Sequence, residues 1–173
     1  MKAVFKKRLD LSEEQDIKKF CSAADYCAIE QSFGFSEILG ASNITYFYLT
    51  DDKTILSFSQ IIENFRFAHI WFGPVCNDSD IMIESVLRIA EYYKKCHFWY
   101  LGIQLYHKTG PDADYIEYAL ARQLRITYVL SNEYTKSSLE VNLNDSPESI
   151  WSKFRKGHKS AIRKAINSGI SIT

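Results

Sequence analysis

Between Ile44 and Phe72 the chain carries three successive runs of β-branched and aromatic residues, and this limits the fold more than any other feature. Residues 44–50 and 54–62 read as two strands. Asp51-Asp52-Lys53 reads as the turn between them, so the pair is expected to form a hairpin. Residues 67–72 read as a third strand, stopped by Gly73-Pro74. Such a succession needs helices to cover it, and the sequence supplies them on either side.

Upstream, residues 2–8 suit a short first strand. Ser12-Glu13-Glu14-Gln15 has the form of a capping box, with Ser12 as N-cap and Gln15 reaching back. The helix it opens is expected to run to about Phe20, with Ile17 and Phe20 on its apolar face. A second helix is expected over 23–32, ended by Gly34. Downstream, Ser79 or Asp80 caps a long helix to about Lys95, striped by Ile81, Ile83 or Val86 with Leu87, Ala90 and Tyr93. Residues 98–105 are almost continuously apolar, as in a central strand covered on both faces. A helix over 114–122 carries Ile116, Ala119 and Leu120, and 126–130 and 138–143 read as two final strands. The order β, α, α, β, β, β, α, β, α, β, β predicts an α/β (α+β) domain. Its mixed, mainly antiparallel sheet has about six to seven strands flanked by helices.

Composition supports a folded chain. Of 173 residues, 46% are apolar and 24% charged, with few Gly and Pro, which excludes disorder and low complexity. A chain of this size buries roughly 70% of its unfolded surface, enough for a core without staples. Cys21, Cys27, Cys76 and Cys96 form no Cys-x-x-Cys pair and no zinc-finger spacing with His69, His97, His107 or His158. They read as buried free thiols in a reducing compartment, and no metal site is expected. The basic N-terminus is followed by no apolar run of the signal-peptide kind, and no stretch reaches the ~18 apolar residues of a membrane helix. The expected location is cytoplasmic.

Charge is segregated. Residues 1–147 hold 15 Lys/Arg against 20 Asp/Glu, and 148–173 hold 6 against 1, so a body of net −5 meets a tail of net +5. In the tail, Ile150, Trp151, Phe154, His158, Ala161, Ile162, Ala165 and Ile166 recur at spacings of three and four and predict one amphipathic helix over 149–168. Ser146 suits its N-cap, Pro147 its first position and Gly169 its C-cap. Lys153, Arg155, Lys156, Lys159, Arg163 and Lys164 put six cations within 12 residues with no acid among them. A solvated face is the plain reading; a surface for phosphate-bearing substrates is the functional one. Residues 170–172 then open what reads as a strand, the start of a second domain.

The stretch 135–172 resembles the signature of the FemAB/FemX family of peptidoglycan-bridge aminoacyltransferases. A strand ending at Leu143 precedes a helix bearing Trp151, Phe154, Arg155, Ile162-Arg163-Lys164-Ala165 and then Gly169-Ile170. Gln31-Ser32 with Phe35 resembles the family's Gln-Ser…Trp element. Trp71-Phe72-Gly73-Pro74-Val75 resembles its Arg-Gly-Pro-Val turn. The resemblance implies a GNAT-like fold, the fold of the N-acetyltransferase superfamily, with 1–146 as one domain and 147–173 as the opening of a second. It implies transfer of an amino acid from aminoacyl-tRNA to the amine of a cell-wall precursor. Phe72 stands where the family commonly has Arg, Phe35 where it has Trp, and Glu37 and its neighbours supply no Lys.

The diphosphate loop of acetyl-CoA-dependent GNAT enzymes is absent, since Phe72-Gly73-Pro74-Val75-Cys76-Asn77 offers too few free N–H groups. No cofactor is therefore expected. Candidate substrate-binding residues are Gln31, Ser32, Phe35, Phe72, Gly73 and Tyr106. Gln31 and Ser32 could equally cap their helix locally. Tyr106 and His107 follow the strand over 98–105, at the end where open α/β sheets place ligands. The six tail cations are the candidate nucleic-acid or phosphate ligands, and no catalytic residue is assigned. Two other functions remain open: an N-acyltransferase with a CoA or carrier donor, and a non-catalytic GNAT-like binding module. Exposed Trp151, Phe154 and Ile162 are expected to fold back on the sheet or to drive self-association.

Overall fold

The three strand-forming runs do pair in sequence. The computed structural model describes residues 1–38, 43–52, 54–105, 111–124 and 145–169, and the chain divides into two units, Met1–Thr127 and Tyr128–Thr173. In the first unit β1 (Lys2–Lys6), β2 (Ile44–Asp51), β3 (Thr54–Asn64), β4 (Phe67–Ile70) and β5 (Tyr100–Ile103) form one sheet in that order. Neighbours are antiparallel except β4 and β5, which run parallel with Phe67 opposite Tyr100 and Ile70 opposite Ile103. The parallel pair needs a crossover, and α3 (Ser79–Lys95) supplies it. Five strands are present among the described residues, not six to seven. Residues 126–130, 138–143 and 170–172, where further strands are expected, lie outside the described residues.

Among the described residues the strand most fully covered is not the one expected. Residues 98–105 form only the four-residue β5, partly exposed and last in the described sheet. The strand covered on both faces is β3, buried without a break from Ser57 to Ile61. Its polar Ser57, Ser59 and Gln60 hide this from any count of apolar residues. Ser57 and Ser59 lie opposite Leu49 and Phe47, on the face that packs against α3. There Phe47, Leu49, Ile61, Ala68, Ile70, Ile89 and Tyr93 form the main core. Each large side chain buried there contributes about 1.5–3 kcal/mol. On the other face Phe33 of α2 (Phe33–Ile38) sits 5.8 Å from Tyr46 and 5.7 Å from Phe58. A second cluster joins Met82, Ile83 and Val86 of α3 to Ile116 and Leu120 of α4 (Pro111–Gln123).

Helix starts differ from expectation by one or two residues, for an electrostatic reason. The capping box of α1 (Leu11–Ala23) is built from Asp10 and Glu13, not Ser12 and Gln15. Glu13 N–H donates to Asp10 Oδ1 at 2.9 Å, and Asp10 N–H donates to Glu13 Oε2 at 3.0 Å. Asp78, not Ser79 or Asp80, caps α3, accepting from Ile81 N–H at 2.9 Å. In each case a carboxylate lies one or two positions upstream of the expected serine, and it answers the positive helix end better than a hydroxyl does. The helix expected over 23–32 is replaced by extended backbone at Ala24, a 3-10 turn over Ile29–Gln31, and α2, which contains Gly34 rather than ending before it.

The second unit holds α5 (Pro147–Lys153) and α6 (Lys156–Asn167). Ser146 Oγ accepts from Ser149 N–H, Pro147 opens α5, and Gly169 takes φ 75° after α6, all as expected. The single helix expected over 149–168 is instead interrupted at Phe154 and Arg155, both extended. The break starts α6 at Lys156, beside cations that a helix N-terminus does not favour, so charge within the segment does not explain it. No helix among the described residues is long and apolar enough to cross a membrane.

Candidate functional site

Gln31 and Gly73 meet at the end of β4. Gln31 is buried, and its amide spans two backbones. Its Nε2 donates to the Trp71 carbonyl at 2.5 Å, and its Oε1 accepts from Gln60 N–H at 2.7 Å. Gln60 answers through Nε2, which donates to the Ser32 carbonyl at 2.6 Å. Gly73 lies so close that a Cβ there would stand 2.9 Å from Gln31 Cδ and Nε2. Glycine is required at this position for close approach.

After β4 the chain is tied to two strands at once. Gly73 N–H donates to the Gln104 carbonyl at 3.0 Å, beyond the end of β5, while Val75 exchanges backbone bonds of 2.8 and 3.0 Å with Phe58 on β3. The intervening Phe72 takes φ 52°, a left-handed conformation that a bulky side chain seldom adopts. Phe35 stands edge-on to Trp71 at 6.0 Å, and Trp71 remains 37% exposed at the mouth of this junction.

The structure thus brings together Gln31, Ser32, Phe35, Phe72 and Gly73. Gln31 acts from inside, as a brace. Ser32 Oγ donates locally to the Ile29 carbonyl at 2.7 Å. Tyr106 and His107 lie outside the described residues. Gln60 and Gln104 also belong to the junction, and sequence reasoning missed both. A glutamine inside the apolar run of β3 was the one available signal for Gln60. The Gln60 Oε1 is buried and has no hydrogen-bond partner among the described residues.

The position that would cradle the diphosphate of an acyl-CoA does not fit that group. Gly73 and Val75 spend their N–H groups on strands, and Pro74 has none. Asn77 Oδ1 accepts from Asp25 N–H at 3.0 Å. The N-terminus of α3 is filled by the Asp78 carboxylate, and Asp80 follows in its first turn, accepting from Tyr115 OH at 2.8 Å. Two carboxylates at the helix end oppose an anion. Burial pushes the Cys76 thiol up to about 11, so no thiolate nucleophile is available there at neutral pH.

Two carboxylates elsewhere carry networks. Glu63 Oε1 accepts from Thr45 Oγ1 at 2.5 Å and Tyr93 OH at 2.7 Å, and Oε2 accepts from Lys7 at 2.5 Å. Burial alone would raise its pKa, but these donors hold it below its ordinary value. Glu13 behaves likewise: burial opposes its ionisation, and Lys6, Tyr48 OH and Asp10 N–H outweigh it. Among the described residues no cluster of His, Cys, Asp and Glu could hold a metal ion.

In the second unit, Lys153 pairs with Asp145, Lys159 Nζ donates to the Ser152 carbonyl at 3.0 Å, and Arg163 lies 5.7 Å from the Trp151 ring centre. Arg155, Lys156 and Lys164 are exposed, with no carboxylate partner among the described residues. The first turn of α6 has no side-chain cap and no acidic residue.

No protein-family model matches the chain, and no curated protein matches it. Among solved structures it is similar to an aminoglycoside acetyltransferase from an uncultured soil metagenomic sample, in complex with trehalose. That similarity has 14% identity and TM-score 0.49, over 80% of this chain and 96% of that one. The same enzyme in complex with sisomicin gives 16% identity and TM-score 0.48 over the same shares. A probable acetyltransferase gives 10% identity and TM-score 0.44, over 82% of this chain and 99% of that one. Similarity at this level assigns no substrate to the chain.

Proposed function

We propose that this chain is a GNAT-like domain of a FemAB-type aminoacyltransferase, which moves an amino acid from aminoacyl-tRNA to an amine on a cell-wall precursor. The observation that carries this reading is the contact between two motifs 40 residues apart, Gln31 Nε2 on the Trp71 carbonyl at 2.5 Å. These are the two short elements that resemble the family in the first unit, and they form one junction together with Phe35 and Gly73. The basic α5–α6 unit suits the phosphates of the tRNA: three exposed cations without a carboxylate partner among the described residues, and an uncapped helix start beside Arg155 and Lys156. The acidic cap of α3 favours this donor over a CoA thioester.

In the reaction the amine nitrogen attacks the ester carbonyl carbon. A C–N bond forms, the C–O bond to the ribose breaks, and the ribose oxygen takes up the proton the amine loses. The ester is already activated, so positioning and charge stabilisation supply most of the acceleration. A chain without a conspicuous nucleophile fits that demand. The reading places the protein in the cytoplasm, with aminoacyl-tRNA.

Binding to tRNA and to coenzyme A separates the alternatives. Charged tRNA is expected to bind with an affinity that falls steeply with salt, and coenzyme A is expected to leave the melting temperature unchanged. Stabilisation by coenzyme A without tRNA binding would overturn the proposal in favour of an N-acyltransferase.

A further inference from the structure

At the end of the sheet opposite the Gly73 junction, four aromatic rings stand together on the surface. Phe65 is 74% exposed and Trp99 72%, and Phe67 and Tyr100 are more than half covered. Trp99 lies edge-on to Phe65 at 5.6 Å and to Phe67 at 6.2 Å, and Phe67 lies 6.3 Å from Tyr100. Phe65 occupies the β3–β4 turn at φ 54°, and His97 the α3–β5 connection at φ 57°. Strained conformations of this kind persist where the surrounding structure enforces them. Here Arg66 does so: its Nη1 donates to the carbonyls of Cys96 and His97 at 3.2 and 3.1 Å, and Trp99 N–H donates to the Arg66 carbonyl at 2.9 Å. The two loops are thus riveted, and the rings are held outward on a rigid base.

Cations accompany the rings. Lys94 and Lys95 end α3, and Arg66 sits between Phe65 and Phe67. Of the acids in the same segments, Glu91 is paired with Lys95, and Glu63 is buried and paired with Lys7. A groove of about 460 Å³ opens beside Trp99, its lining including Lys94, His97 and Tyr100.

We propose that this end of the sheet docks on an anionic lipid surface, with Phe65 and Trp99 entering the headgroup layer, Lys94 meeting lipid phosphate and the charge of Arg66 adding attraction. The Trp99 indole, with an apolar body and one polar edge, favours that layer, Phe65 adds apolar area, and neighbouring cations add attraction to anionic leaflets. Among the described residues the patch lacks the continuous basic groove with which single-stranded nucleic acid is tracked. This inference does not depend on the transfer reaction proposed above.

Flotation of the full chain with vesicles tests it. Phosphatidylglycerol–phosphatidylcholine vesicles are expected to carry the protein, pure phosphatidylcholine vesicles far less, and added salt should release it. Phe65→Ser with Trp99→Ser is expected to lower the partition coefficient about tenfold or more. Phe65→Ser alone, at a side chain that touches little of the core, guards against a folding artefact. In the W71F/W151F chain the remaining Trp99 emission should shift to the blue on anionic vesicles. Equal partition on both vesicle types, unchanged partition of the double variant, or a Trp99 spectrum unmoved by vesicles would each overturn the proposal. So would a concentration-dependent dimer, or oligonucleotide binding, that the double variant abolishes while vesicle binding persists.

Discussion

Replacing Gln31 by alanine removes the only side-chain bonds described between the 3-10 turn and the end of β4. Gln60 N–H and the Trp71 carbonyl both lose a partner. Gln31→Ala is therefore expected to cost about 2–4 kcal/mol in urea unfolding. Gly73→Ala pushes a methyl against the same amide and should cost about 1–3 kcal/mol. The double variant should lose less than the two losses added, because removing Gln31 makes room for the methyl. Additive losses would show that the two residues do not share this contact. Ser85 offers the opposite case: its hydroxyl is buried in α3 without a partner among the described residues, so Ser85→Ala should stabilise the chain by about 1 kcal/mol. Glu63 and Glu13 have depressed pKa values in the fold, so their contribution is present above the ordinary value of 4.5 and is lost as pH falls through the folded values. The urea midpoint should decline on acidification below that value, and Glu63→Gln should flatten the decline. Gln31 was legible as a residue of interest, but its role as a brace was not. That role depends on Trp71 and Gln60, which no local pattern links to it.

Among the elements, strands and helices were legible where their cause is local. β2, β3 and the body of α3 follow from period and composition, and Ser146-Pro147 and Gly169 mark helix ends by chemistry confined to a few residues. Helix starts were less legible, because several adjacent residues can cap and the tertiary environment chooses. Asp78→Ala is expected to cost about 1 kcal/mol, and Ser79→Ala well under half of that, in thermal or urea unfolding. Equal effects would place the cap at the serine. The basic segment shows the same limit. Its stripe of apolar positions is real, but the helix it marks is interrupted at Phe154 and Arg155.

On the scale of the whole molecule, charge is the organising quantity. The chain is neutral in sum, yet its last 26 residues hold six cations against one acid. Polyanion binding should therefore be lost from that segment alone. Neutralising Arg155, Lys156 and Lys164 to Gln should reduce the salt slope of tRNA binding by about 2–3. Neutralising Lys2, Lys19 and Arg88, exposed on the first unit, should leave it unchanged. Equal effects of the two sets would remove α5–α6 as the phosphate surface. By itself the sequence determined that this is a mixed α/β chain with a hairpin, a crossover helix and a basic amphipathic end, because periodicity, turn chemistry and charge act over a few residues. Only the tertiary structure decided that β3 is the covered strand and β5 the partly exposed one among the described residues, that Gln31 faces inward on Gly73, and that Phe65 and Trp99 face outward together. Each of these depends on residues far apart in sequence competing for the same buried space, and that competition is resolved only when the sheet is assembled.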